Sequence, residues 1–322
     1  MKFTGKGALE GQGYWWWVHE FLGKNKHGRP HLVHVVDCEN FEWEGVEMRN
    51  SPQYHMKLDD IVNVEVHHME IFSDWWGTRS DGKYNWRLPI FPLNTDGIDP
   101  SGKNVYIHDV VIQNYDDAVA VKPAHQKEEY VECAEDMLIE RATVYWGVGM
   151  TIGSVPPNNE VNCVRNITFR DVDFHYPFKA IYVKTNPGNS GTGIIEDILY
   201  ENINIHWPIW WGTYIGPQQQ HQPDGSGPGC MFYPLIKECE TNPRVPMRDI
   251  TLRNVHTDYA VLSPGIIRCN ETNPCTGFDF DNVTVTGWLS GEGYITENVE
   301  GVSKNSNPIP AFIQSKPEEE IY

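Results

Sequence analysis

Positive charge is scarce in this sequence. Lys and Arg number 25 against 44 Asp and Glu, a formal charge of −19. Nucleic-acid binding needs a basic face against phosphate, so that class of partner is excluded. No run approaches the roughly 18 consecutive apolar residues of a membrane span, so no membrane partner is expected. Met1 to Thr4 do not open an apolar signal segment. No Cys/His pairing has zinc-finger spacing, and the thirteen His, including His55, His67–His68 and the pair His31 and His34, are expected to decorate strand faces. Gly5-x-Gly7 is not followed by a βαβ unit, which removes the nucleotide-loop reading.

What is present points to a folded, loop-rich chain. Apolar residues make up 40% and aromatics 12%, which excludes disorder. At 322 residues, length alone suggests two domains, but that prior yields to an internal repeat. Of seven Cys, Cys230 and Cys239 are close in sequence, as are Cys269 and Cys275. Cys133 and Cys163 make a third candidate pair, leaving Cys38 odd; sequence alone leaves the connectivities open. N-x-[ST] sequons begin at Asn166, Asn270 and Asn282. Cysteines and sequons together lead to the expectation of a secreted glycoprotein.

The repeat is a four-point pattern of apolar residues at i, i+2, i+5 and i+7. It runs Phe41, Trp43, Val46, Met48; Val64, Val66, Met69, Ile71; Val105, Ile107, Val110, Ile112; and Met137, Ile139, Ala142, Val144. It continues Ile167, Phe169, Val172, Phe174; Ile198, Tyr200, Ile203, Ile205; Ile250, Leu252, Val255, Thr257; and Phe278, Phe280, Val283, Val285. Each half alternates with period 2, as a short strand with one buried face does, and the helical spacing i, i+3, i+4, i+7 is missing. The phase slip between the halves predicts a bend, where Asp109, Asp171, Asn202, Asn254 and Asn282 suit the corner. Most copies are followed by a second short strand, as at 117–122, 148–153 and 179–184. A constant strand core with variable loops predicts a solenoid, and the simplest one is an all-β, single-stranded parallel β-helix. A β-sandwich has short strands too, but it does not generate a repeated four-point pattern. The long intervals 72–104 (Trp75, Trp76, Trp86) and 206–247 (Trp207, Trp210, Trp211, Gln218 to Gln220) are expected to wall a binding face, or else to pack loops and helix ends.

Aligning the second strands on their small-then-apolar pairs (Gly97/Ile98, Ala118/Val119, Gly149/Met150, Ala180/Ile181) places Asp96 and Asp117 in one column, with Asp116 beside them. Asp99, Ala120, Thr151 and Tyr182 make a second column, and Lys122 and Lys184 a third. Clustered carboxylates repel, which raises at least one pKa. Glycosidic hydrolysis needs one acid kept protonated and one base kept ionised. Stacked Asp residues also serve at turns or bind cations, and both readings stay open at this point.

These residues resemble glycoside hydrolase family 28, the polygalacturonase family. Asn94-Thr-Asp96-Gly97 is similar to its N-T-D motif and Asn114-Tyr-Asp116-Asp117 to its N-x-D-D motif. Gly147 to Ser154 is similar to its G-H-G-x-S-I-G-S segment, and Tyr182-Val-Lys184 falls where the family has R-I-K. Residues 3–13 resemble its opening coil, which lies well inside full-length members, so the chain is expected to start within a longer one. The resemblance implies a right-handed parallel β-helix over 1–310, with an acidic tail at 311–322. It implies inverting hydrolysis of pectic, galacturonan-type polysaccharide by a monomer that needs no metal or cofactor. Asp116 would be the general acid, and Asp96 and Asp117 would activate the water. Lys184 would pair with a galacturonate carboxylate, with Tyr182 and Lys122 nearby, while Asn94 and Asn114 tie the site loops to the coil. Two departures stand out: Val148 replaces the family's His and Tyr182 its Arg, which weakens uronate recognition. The alternatives are a glycan-binding β-helix without turnover and a pectate-lyase-type enzyme. The lyase needs a Ca²⁺ site with an Arg or Lys base, and between Asp96 and Asp117 there is no Arg and the only Lys is Lys103.

Overall fold

The computed structural model describes residues 1–75, 88–124, 133–157, 162–219, 230, 233, 235–289, 291 and 293–313. Trp76, Trp86, Gln220 and the tail from Lys316 to Glu320 lie outside the described residues. The chain forms a nearly closed parallel β-helix. Long strands Met56–Phe72, Ile98–Asn114, Ala134–Trp146, Asn162–His175, Gly193–His206, Met247–Asp258 and Cys275–Val285 stack one coil upon the next. Short strands Val119–Val121, Met150–Val155, Lys179–Thr185, Trp211–Gln218 and Ile266–Arg268 form the adjoining face.

The repeat registers as its spacing predicts. Trp43, Val66, Ile107, Ile139, Phe169, Tyr200, Leu252 and Phe280 form one continuous column. All four repeat positions are buried in every copy, the polar Thr257 included. A one-residue slip in any coil would turn that coil's apolar set outward, so burial fixes the register.

The bend has a conformational cause. Its residue has positive φ in every copy: Gly45, His68, Asp109, Arg141, Asp171, Asn202, Asn254 and Asn282 lie between 49° and 76°. Asn and Asp tolerate this left-handed region better than other side chains with a Cβ. Their amides also link the coils. Asn202 Nδ2 donates to Asp171 Oδ1 (2.9 Å), Asn254 to Asn202 (3.0 Å) and Asn282 to Asn254 (3.0 Å). A second left-handed corner, which the pattern does not announce, sits one residue before each copy, at Asn40, Asn63, Asn104, Asp136, Asn166, Asp197, Asp249 and Gly277. Asn63 donates to Asn40 there, Asn104 to Asn63 and Asn166 to Asp136. The sequon residues Asn166 and Asn282 are therefore rungs of amide ladders.

Three features depart from the sequence reading. Tyr14–Phe21 is an α-helix with Tyr14 and Trp17 buried, an i, i+3 face inside an aromatic run that carries no visible period. Trp211 belongs to a floor strand paired with Lys179–Thr185, so the interval 206–247 is only partly loop. His55 is fully buried rather than placed on a strand face. Disulfides join Cys133–Cys163, Cys230–Cys239 and Cys269–Cys275, and Cys38 is free. No helix among the described residues is long and apolar enough to cross a membrane.

Two substitutions test this account. Phe169 is fully buried and stacks on Tyr200 at 4.9 Å, so Phe169→Ala is expected to cost about 3–5 kcal/mol. Asn254→Val, which forces a β-branched residue to the φ of +53°, should cost about 1–2 kcal/mol and Asn254→Gly less. Urea midpoints provide the measurement, and equal midpoints for Asn254→Val and the parent would refute the corner argument.

Candidate active site

The floor strands alternate with period 2. Val119, Met150, Ile181 and Thr213 share one register row, while Ala120, Thr151, Tyr182 and Tyr214 share the next. The Asp-bearing turns enter this floor one coil apart. The Gly97 amide donates to the Asp117 carbonyl (2.9 Å), and the His55 amide to the Asp96 carbonyl (2.8 Å). Coil stacking thereby converts the spacing of Asp96 and Asp117 in sequence into adjacency in space.

Asp96, Asp116 and Asp117 each offer one carboxylate oxygen, and these oxygens lie within 4.8 Å of one another. Asp117 is 1% exposed and held on both sides. Thr151 Oγ1 donates to its Oδ1 (2.7 Å), and Lys184 Nζ donates to its Oδ2 (2.7 Å). Asp116 is only partly buried and accepts the Asn94 amide on Oδ2 (3.0 Å) and the Asp117 amide on Oδ1 (3.0 Å). Asp99 is a fourth carboxylate in the floor, 3.5 Å from Lys122 Nζ, which also donates to the Gly153 carbonyl (3.0 Å). Among the described residues, one oxygen of Asp96 and both of Asp99 have no hydrogen-bond donor.

These surroundings divide the carboxylates. Burial, then Asp99, Asp116 and Asp117 in that order, hold the Asp96 carboxyl well above the usual range. Burial, then neighbouring Asp117, raises Asp116. Burial pushes Asp99 up to about 7 despite Lys122. At Asp117 burial pulls upward, but Lys184 and then Lys122 win and hold it below the usual range. The site therefore contains one carboxylate held toward the anion and neighbours pushed toward the protonated form. A divalent ion is disfavoured at this trio, because the Lys184 ammonium already occupies the Asp117 side. On the outer face, His68, His108 and Asp109 also converge, but Arg141 Nε holds Asp109 at 2.9 Å.

Backbone anchors hold the turns in place. Asn114, fully buried, donates Nδ2 to the Asp117 carbonyl (2.6 Å) and the Thr95 carbonyl (3.1 Å). Gly147 sits against it at φ +64°, where a Cβ would lie 2.5 Å from Asn114 Oδ1. Two anchors carry no sequence signal. Arg29 reaches the Leu93 carbonyl (2.6 Å), the Pro52 carbonyl (3.0 Å) and Asn94 Oδ1 (3.1 Å). His55 Nδ1 meets the Asp96 carbonyl (3.0 Å), and burial pushes the ring down to about 4, so it donates there as a neutral imidazole. Both act on backbone carbonyls or loop amides far away in sequence, which no spacing motif encodes.

The profile of glycosyl hydrolases family 28 matches residues 1–306. The chain belongs to that family. Among its sequence relatives, the probable rhamnogalacturonase E of Aspergillus flavus is 26% identical over 303 residues, covering 92% of this chain and 56% of that protein. Rhamnogalacturonase A of Aspergillus aculeatus is 24% identical over 302 residues, covering 92% and 57%. The chain thus spans about half the length of the curated relatives it matches. In fold it is similar to the endo-xylogalacturonan hydrolase of Aspergillus tubingensis, with a TM-score of 0.63 and 18% identity over 96% of this chain and 73% of that one. The polygalacturonase of Erwinia carotovora ssp. carotovora gives 0.63 and 20%, covering 94% and 70%.

Where the family motifs differ from this chain, the structure shows what fills the space. Val148 is half-buried and packs on the cluster of Tyr182, Trp211 and Tyr214. The Tyr182 ring receives two ammonium groups, Lys179 Nζ 3.9 Å and Lys184 Nζ 4.6 Å from its centroid.

Asp99 offers a direct test of the charge distribution. A carboxyl raised from about 4 to about 7 binds its proton in the folded chain and not in the unfolded one, so stability falls as pH rises through that window. Asp99→Asn removes the loss. The variant should gain stability relative to the parent between pH 5 and pH 8, read from denaturant midpoints; a difference that does not change with pH contradicts the assignment.

Proposed function

We propose that this chain hydrolyses a pectic polysaccharide of the galacturonan type. Asp116 donates a proton to the leaving glycosidic oxygen, and Asp117, assisted by Asp96, activates the water. The observation that carries the reading is the contrast between adjacent residues: Asp117 locked as an anion by Thr151 and Lys184, and Asp116 raised by burial and by that anion. This pairing of a retained acid with a retained base is what protonation at one face and water activation at the other require. Asn94 and Asn114 position the acid and base turns, while Lys122, Lys184 and Tyr182 line the substrate side. Because the relatives are named rhamnogalacturonases, a rhamnogalacturonan backbone ranks first among the polymers to try, ahead of polygalacturonate.

The stereochemical reading is inversion. The trio's oxygens approach within 4.8 Å, closer than the roughly 6.5–9.5 Å common between acid and base in inverting enzymes. The support lies in Asp117 instead. Both of its oxygens are engaged, which suits a fixed base and hinders the swing onto an anomeric carbon that a nucleophile makes. The three disulfides and the Aspergillus relatives fit an extracellular setting, and we take the active species to be a monomer without metal or cofactor.

Reducing-end release from rhamnogalacturonan, polygalacturonate and neutral polymers tests the activity. Asp116→Asn and Asp117→Asn should each lower it about 10²–10⁴-fold. Unchanged release in Asp116→Asn removes that residue from the chemistry, and ultraviolet-absorbing ends would indicate a lyase instead. Proton NMR of the first product should show the inverted anomer; retention overturns the water-activating role. Activity requires Asp117 ionised and Asp116 protonated, so the rate should decline as pH rises through the raised Asp116 value. A profile still climbing at alkaline pH contradicts Asp116 as acid.

A further inference from the structure

An acidic polysaccharide brings a carboxylate on each uronate, and its binding site needs a cation not already neutralised by the protein. The floor strands and the turn beside them supply three lysines. Lys184 is bound to Asp117 at 2.7 Å. Lys122 donates to the Gly153 carbonyl at 3.0 Å and lies 3.5 Å from Asp99. Lys179 differs from both. It is 7% exposed, and among the described residues it has neither a carboxylate nor a carbonyl partner. Its ammonium lies 3.9 Å from the Tyr182 ring centroid and 4.0 Å from that of Tyr214. Tyr214 is itself fixed by donating its hydroxyl to the Cys230 carbonyl (2.6 Å).

We propose that Lys179 is the receptor for a uronate carboxylate of the substrate, with the faces of Tyr182 and Tyr214 holding its ammonium ready, on the same Tyr182 ring that the Asp117-bound Lys184 approaches. This deepens the hydrolase reading and rests on it for the identity of the ligand. Two aromatic faces offset part of the dehydration of a buried cation but provide no countercharge. Burial, and then Lys184, push the Lys179 amine down to about 7, while Asp117 and Asp116 pull it the other way. Both aspartates therefore lie within electrostatic reach of this amine. A carboxylate arriving over the two rings supplies the missing charge and forms a charge-assisted hydrogen bond, the stronger kind. The position also accounts for uronate recognition in a chain with Val148 and Tyr182 where its family motifs carry His and Arg.

The experiment is calorimetric titration of the full chain carrying Asp116→Asn, so that bound sugar persists. The ligands are galacturonate oligomers and rhamnogalacturonan fragments, each beside its carboxyl-reduced form. Lys179→Met, a similar volume between the two rings, should raise the Kd of an acidic ligand about tenfold or more and leave the reduced form unchanged. An unchanged Kd for the acidic ligand, equal weakening of both forms, or no binding of either overturns the proposal. Should Lys179→Met fail to fold, protection of Lys179 from reductive methylation in the parent replaces it: bound acidic oligomer must slow its labelling, and undiminished labelling overturns the proposal. Lys179-dependent binding by a wild-type chain that cleaves nothing supports the receptor and sinks the hydrolase reading. Hydrolysis with binding indifferent to Lys179 does the reverse.

Discussion

The structure depends on residue-on-residue stacking between coils. Parallel strands repeat every coil, so whatever stands at one position of the pattern stands directly over its counterpart in the next. Left-handed corners keep this alignment from drifting. Asn and Asp accept positive φ there and then donate their amides along the axis. The same rule that stacks Phe169 on Tyr200 in the core sets Thr151 and Lys184 on Asp117 in the site. The core and the site follow from one constraint.

Within that frame the floor confronts an imbalance of charge. Asp96, Asp99, Asp116 and Asp117 face Lys122 and Lys184, and the third lysine is turned onto aromatic rings. Three buried carboxylates and a partly buried fourth, with two committed cations, resist ionising together, because each bare anion in a dry setting is costly. Two hydrogen bonds and two lysines settle which one does, and Asp117 receives them. The remaining carboxyls are pushed toward the protonated form. The chemical asymmetry between acid and base thus derives from where two later coils place a hydroxyl and an ammonium, not from the aspartates themselves.

Much of this was legible in the sequence, for identifiable reasons. The four-point pattern encodes the strands because one buried face per strand leaves a period of 2, and the bend encodes itself through Asn and Asp. The columns of Asp96 with Asp117 and of Thr151 with Tyr182 follow from small-then-apolar pairs that recur in each coil. Other elements left no trace. The second corner accepts Asn, Asp and Gly alike and precedes the apolar positions that draw attention. Arg29 and His55 serve backbone carbonyls on other coils, and a backbone carbonyl has no letter in the sequence. The helix at Tyr14–Phe21 hides among consecutive tryptophans, and Lys179 reads as an ordinary strand residue until Tyr214 is seen from the next coil.

The clasp on Asp117 has a consequence for the order in which a ribosome delivers this protein. Chains emerge N-terminus first and can begin folding as they grow. Asp96, Asp116 and Asp117 are all synthesised before Thr151, and Lys184 arrives later still. Until that lysine has been added and its coil has closed, Asp117 lacks its direct ion pair and has Lys122, 3.9 Å away, as its countercharge. A nascent solenoid that ends short of residue 184 therefore carries the aspartates with only part of the clasp that holds Asp117. The clasp is completed by the closing of a single coil, before the C-terminal coils exist.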